Sequence, residues 1–108
     1  MNNAATRMGG GASASLEDWH QAMDVNFWGL VHGLCAFLQR MLEQGSPSLV
    51  INTGSKQGIT NPPGNLACNV TNSALRSYTE GCSTICALLR AAASRHICWS
   101  PAGRRPAR

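Results

Sequence analysis

The sequence predicts an α/β fold in which two long helices pack on a short parallel sheet. Three observations predict it. Phe27, Leu30, Val31, Leu34, Leu38, Met41 and Leu42 recur at three- and four-residue steps, the period of a helix with one buried face. Ser48-Leu49-Val50-Ile51-Asn52 is a short apolar run bounded by Pro47 and Gly54, the pattern of a strand buried on both faces of a parallel sheet. A second helical stretch spans about Leu66 to Ala93, and Ile97-Cys98-Trp99 before Pro101 reads as a last short strand.

The remaining elements follow in chain order. Asn2 to Ala5 sits at the end of a strand, and a Gly/Ala/Ser-rich loop runs on through Ser15. Gly9-Gly10-Gly11-Ala12-Ser13-Ala14 matches a phosphate-cradling glycine pattern literally. No apolar strand precedes it, so it reads as a loop. Ser15-Leu16-Glu17-Asp18 supplies an N-cap and acids in a first turn. A short helix from there through Met23 leads, via Asp24-Val25-Asn26, into the long helix that ends near Glu43, with Gly45 as its stop. Pro62-Pro63-Gly64 keeps the stretch from Gly58 to Asn65 irregular. The order helix, strand, helix, strand makes one right-handed crossover unit with a further helix against it. So short a sheet cannot be covered on both sides, and apolar surface is expected to stay exposed.

Composition narrows the function classes. A chain of 108 residues forms one small domain, taken here as residues 1–101 with a basic, disordered tail over 102–108. The net charge of +4 comes from the end of the chain, where Arg90, Arg95, Arg104, Arg105 and Arg108 lie, and the rest is close to neutral. Nucleic-acid binding is therefore not expected. The five cysteines, Cys35, Cys68, Cys82, Cys86 and Cys98, make an odd count without CxxC spacing, which argues against a disulfide framework or a zinc site. His20 and His32 lie on helices with no partner at ligand spacing, so no metal is expected. No signal segment opens the chain and no apolar run is long enough to span a bilayer, so the expected setting is cytoplasmic and not membranous. Asn69-Val70-Thr71 is a formal glycosylation sequon on a helix in such a setting, and carries little weight.

One set of motifs goes further. Asn2-Asn3-Ala4-Ala5, Asp24-Val25-Asn26-Phe27-Trp28-Gly29, Thr53-Gly54-Ser55, Cys68-Asn69-Val70-Thr71-Asn72 and Ser100-Pro101 occur in this order across about residues 1 to 101. In this the chain resembles the short-chain dehydrogenase/reductases, SDR. The resemblance implies a partial Rossmann-like, doubly wound fold, its C-terminal half only, in an NAD(P)-dependent oxidoreductase scaffold. In that family a tyrosine exchanges a proton with the substrate oxygen while hydride moves to or from the adjacent carbon. A lysine one helical turn later lowers the phenol's pKa and holds the nicotinamide ribose.

The same resemblance implies substrate contact for Ser55 and a water-holding role for Asn26, although a turn-capping hydroxyl and a junction amide are equally ordinary uses of these residues. Cys68 and Asn72 occupy the tyrosine and lysine positions. The thiol is several ångströms too short to replace a phenol, and an uncharged amide cannot tune a neighbour's pKa as an ammonium does. Lys56 is no substitute, because it sits beside Ser55 instead of one turn beyond position 68. Asn3, Ala4 and Pro101 fall on family positions that contact the cofactor, NAD or NADP, which this chain alone is not expected to bind. Alanine follows both Ala4 and Pro101 where the family has glycine.

Three functions are consistent with these features. The first is a truncated, inactive relative of an NAD(P)-dependent oxidoreductase. The second is a non-catalytic interaction module that forms a homo- or hetero-dimer with a full-length family member through helices 26–43 and 66–93. The third is a surviving enzyme that uses Cys68, or one completed by a separate chain.

Overall fold

A computed structural model describes residues 1–2, 4–6, 11–46, 48–88 and 95–101. The expected helix from 89 to 93, the tail 102–108 and Asn3 lie outside them. Helix α1 (Leu16–Met23) begins where the sequence places it. The Ser15 hydroxyl accepts from the Asp18 amide at 3.1 Å while the Asp18 carboxylate accepts from the Ser15 amide at 3.1 Å, a reciprocal cap that satisfies two otherwise orphaned donors.

The chain does not break between the helices. Asp24–Trp28 forms one π-helical turn that carries α1 into helix α2 (Gly29–Glu43), so the two are continuous in hydrogen bonding. Gly45, at φ +65°, then ends the run in the left-handed region that glycine enters without strain. Strand β1 (Ser48–Gly54) follows, then a 3₁₀ turn (Lys56–Gly58), helix α3 (Leu66–Leu88) and strand β2 (Arg95–Pro101).

The strands are parallel and in register from Ser48↔Arg95 to Gly54↔Pro101. Both are longer than the apolar runs that announced them. Ladder bonds come from the backbone, so Arg95, Ser100, Thr53 and Gly54 join the sheet without adding to an apolar pattern. On the other edge Asn2 bridges to Asn52: its amide donates to the Ile51 carbonyl at 2.8 Å, and its carbonyl accepts from the Thr53 amide at 2.9 Å. Asn2 thus makes an isolated parallel bridge on this edge of the two-stranded sheet.

Leu30 and Leu34 of α2 and Leu75 of α3 are the buried centre, with Val31, Val50 and Tyr78 packed against them. The most deeply enclosed side chains are nevertheless polar: Asn52, Thr71 and Thr79. Each is bonded, as burial requires. The Asn52 amide donates to the Thr79 hydroxyl at 3.0 Å and accepts from the Asn2 amide at 2.9 Å, and the two threonines return their hydroxyls to Ala67 and Leu75 carbonyls of their own helix.

Val50 and Asn52 face α2 and α3, whereas Leu49, on the opposite face of β1, is 54% exposed. The expectation of a strand buried on both faces is corrected: among the described residues, one layer of helices covers one face. Apolar side chains do remain at the surface, Leu49, Phe37, Trp28 and Leu42 among them.

Tyr78 gives this core a spectroscopic handle, being the single tyrosine. Burial, then the Cys82 thiol hydrogen-bonded beside it, push its phenol above the ordinary 10.0. The unfolded chain therefore gives up this proton first. Its contribution to stability is intact below pH 10 and is lost as pH rises beyond. Phenolate absorbance should titrate with a midpoint above 10.0, and a midpoint at or below that value would contradict the packing of Tyr78 described here.

Candidate functional site

The expected site residues gather at the carboxyl end of β1, where open α/β sheets bind ligands. Ser55 follows the last residue of the strand, and its extended backbone (φ −119°, ψ 159°) turns the chain into the 3₁₀ segment. Its hydroxyl accepts from the Gln57 amide at 3.4 Å, the local capping use. Its backbone amide donates to Asn72 Oδ1 at 2.8 Å.

Asn72 stands in the second turn of α3, one turn beyond Cys68. While Oδ1 holds Ser55, Nδ2 donates to the Cys68 carbonyl at 2.9 Å. One amide thereby ties the strand end to the helix. Cys68 itself is 5% exposed and its thiol is free. The pair that the resemblance sets at the proton-transfer positions is a buried thiol and a neutral amide already engaged at both ends.

Asn26 lies within the π-helical turn, 6% exposed. Oδ1 accepts from the Thr6 amide at 2.7 Å, and Nδ2 donates to the Thr6 carbonyl at 3.2 Å and to the Thr71 hydroxyl at 3.3 Å. Both amide hydrogens are used. The side chain joins three segments: the stretch after Asn2, the α1–α2 junction and α3. The structure therefore brings Asn26, Ser55, Cys68 and Asn72 together around the first two turns of α3, with Asn26 bonded to Thr71 and Ser55 bonded to Asn72.

Ala4 is exposed and Pro101 closes β2 opposite Gly54, whereas Asn3 lies outside the described residues. Gly11–Ser13 forms a 3₁₀ turn whose Gly11 amide donates to the Gly64 carbonyl at 3.3 Å, so this part of the glycine run docks on another loop. His32 stacks on Trp28 with ring centroids 6.1 Å apart, and Lys56 is exposed. Asn69 is buried and donates to the Pro62 carbonyl at 3.0 Å, which removes it as a glycosylation acceptor. Among the described residues no three His, Cys, Asp or Glu converge as a metal site, and no helix is long and apolar enough to cross a membrane.

A cavity of about 290 Å³ opens between Asn2, Val25, Gly29, Leu30 and Thr53. Asn26 also lines it, with its amide spent on Thr6 and Thr71.

The sequence profile of the short chain dehydrogenases matches residues 1–87. The chain belongs to that family. It is 36% identical over 80 residues to the Mycobacterium tuberculosis protein named "Putative oxidoreductase SadH", covering 73% of this chain and 29% of that protein. A short chain dehydrogenase/reductase from Burkholderia phymatum, solved in complex with NAD, superposes with a TM-score of 0.82 at 29% identity, covering 87% of this chain and 34% of the other. A gluconate 5-dehydrogenase from Burkholderia cenocepacia, solved with NADP and tartrate, gives 0.72 at 28%, covering 82% and 33%. The chain thus spans about a third of the length of these relatives, and its sheet and helices are part of the family's Rossmann-like α/β fold.

Against that family the described residues do not fit a nicotinamide ribose. The position where the family places a lysine holds an uncharged amide whose oxygen is taken by Ser55 and whose nitrogen is bonded to Cys68. The resemblance supplied these positions. It could not show that Asn72 bonds to the strand end, nor that Thr71 and Thr79 of the same helix would be buried.

Proposed function

We propose that this chain is a non-catalytic relative of the NAD(P)-dependent short chain dehydrogenases. The observation that carries the reading is the double engagement of Asn72 beside a buried Cys68. A proton donor for this chemistry has to reach the substrate oxygen and have its pKa set by a neighbouring cation. The Cys68 thiol is enclosed and Asn72 carries no charge, so neither requirement is met.

The test is turnover and thermal unfolding with millimolar NAD(H) or NADP(H). A cofactor at a hundred times its dissociation constant would add about 2.7 kcal/mol, a shift of several degrees for a chain of this size. No shift and no turnover are expected. The double change Cys68→Tyr with Asn72→Lys is expected to remain inactive, and to be less stable, because it removes the acceptor of the Ser55 amide at a cost of about 1–3 kcal/mol. Cofactor-dependent turnover that disappears on Cys68→Ala would overturn the proposal.

A second reading has its own support. Trp28, at the end of the π-helical turn, and His32, Cys35 and Leu42 of α2 are exposed along one stripe, at helical spacing and away from Leu30 and Leu34. This favours a non-catalytic module that pairs with a full-length family member through helices 26–43 and 66–93. Co-purification with such a protein, lost on Trp28→Lys, is its expected result. Strictly monomeric behaviour in the partner's presence would exclude it.

A further inference from the structure

The segment that leads into α3 runs between two of the site positions, from Ile59 after the Ser55 turn to Asn65 before Leu66. No residue from Ile59 to Gly64 is buried, so no apolar side chain anchors this segment to the core. Its near end is fixed, because the Thr60 amide and hydroxyl both donate to the Lys56 carbonyl, at 2.9 and 3.1 Å. Beyond Thr60 two bonds tie it down from elsewhere in the fold. Asn69 Nδ2 donates to the Pro62 carbonyl at 3.0 Å, and the Gly11 amide donates to the Gly64 carbonyl at 3.3 Å.

With the segment in this place, two acceptors are left unmet. The side-chain oxygens of Asn65 and Asn69 are both enclosed, and among the described residues neither meets a donor. Asn65 stands one residue before Leu66, where a side-chain oxygen ordinarily accepts from the amides of the first helical turn. Here it does not. The Asn69 amide cannot turn over to relieve its oxygen, since that would set the oxygen against the Pro62 carbonyl. A buried acceptor without a donor costs at least as much as one ordinary hydrogen bond returns, so two ties do not outweigh two unmet oxygens. We propose that residues 61–65 form a strap over the start of α3, which opens by itself while the helices and β1 stay folded. Opening hands both oxygens to water and releases Pro62 and Gly64. There is room for the movement, because a Cβ on Gly64 would meet nothing within 4 Å. The strap lies between Ser55 and Cys68, so its opening changes access to the helix start, where Ala67, Cys68 and Asn69 are buried in the closed form.

Amide hydrogen exchange of the full chain, resolved by NMR, tests this. The Gly11 amide, whose acceptor is Gly64, reports on the strap, and the Leu75 amide, in the middle of α3, reports on the domain. Relative to intrinsic rates, Gly11 should exchange at least about a hundredfold faster than Leu75 and with little dependence on urea, as local opening does. Two variants should move Gly11 exchange in opposite directions. Asn65→Ala removes one unmet oxygen and neither tie, and should slow it about tenfold, against the loss that an ordinary helix cap would show. Gly64→Ala places a side chain at φ +87°, a conformation the closed strap requires, and should quicken it at least about fivefold. Equal protection and equal urea dependence for Gly11 and Leu75 would overturn the proposal, because the strap would then open only with the whole domain. So would unchanged or faster Gly11 exchange in Asn65→Ala, which would mean that an ordered water already meets the oxygen or that the opposite loop moves instead.

Discussion

Leu75→Ala is expected to cost about 2–5 kcal/mol and to lower the thermal midpoint by more than about ten degrees, or to abolish a cooperative transition altogether. Leu75 sits on α3 where Leu30 and Leu34 of α2 and Val50 of β1 meet, and it is the buried apolar side chain that α3 gives to this cluster. Truncation there removes transfer energy and leaves a hole that cannot close easily, because the same side chain also borders the existing cavity beneath Asn2 and Thr53. A domain this small has a total stability of about 5–15 kcal/mol, so the loss is a large share of it. Two comparisons locate the effect. Leu66→Ala, at an exposed position of the same helix, should stay within about 0.5 kcal/mol, and Leu75→Met, which keeps the volume, should cost less than about 1.5 kcal/mol. Urea and thermal melts of the three variants check this. Equal losses for Leu66→Ala and Leu75→Ala would mean that the helix, and not the packed cluster, sets stability.

The same cluster shows which parts of the fold could be read directly. Residues whose burial follows a period announced themselves: Leu30 and Leu34 recur at helical spacing, Ser15 and Asp18 bracket a first turn, and Gly45 closes α2 with a positive φ. The π-helical turn was not legible. It inserts within a run that is helical on both sides, and nothing in Asp24-Val25-Asn26 distinguishes a widened turn from an ordinary junction until Thr6 is seen to fill the Asn26 amide. Asn52 and Thr79 are another case. Each reads as an interruption of an apolar pattern, yet together they bond across the helix–strand contact, and a polar pair separated by 27 residues has no local signature. Of the candidate site, resemblance supplied the positions of Ser55, Cys68 and Asn72. The use of Asn72 as a tie to the strand end depended on the distance between two segments, which only the folded chain provides.

Asn26→Ala should be nearly as damaging as the loss of Leu75, at about 2–4 kcal/mol, because three hydrogen bonds converge on one enclosed amide. The variant deprives both the amide and the carbonyl of Thr6 of their Asn26 partner, and Thr71 of the donor from Nδ2, in a place that water reaches poorly. Asn26→Asp separates shape from chemistry. It keeps an acceptor for the Thr6 amide, but sets a second oxygen against the Thr6 carbonyl and brings a charge into a buried junction, so it should be no more stable than the alanine variant above pH 5 and should recover part of the loss as pH falls and the carboxyl gains a proton. Urea titrations at pH 7 and pH 4, with amide exchange at Thr6 as the local reporter, read both effects. Had Asn26 served only to hold a water for chemistry, its removal would leave stability unchanged. A loss of the expected size instead identifies the side chain as the joint between the Asn2 segment, the π-helical turn and α3. That joint is useful whether or not a reaction takes place beside it, and it connects the strand-end bridge at Asn2 to the helices that cover it.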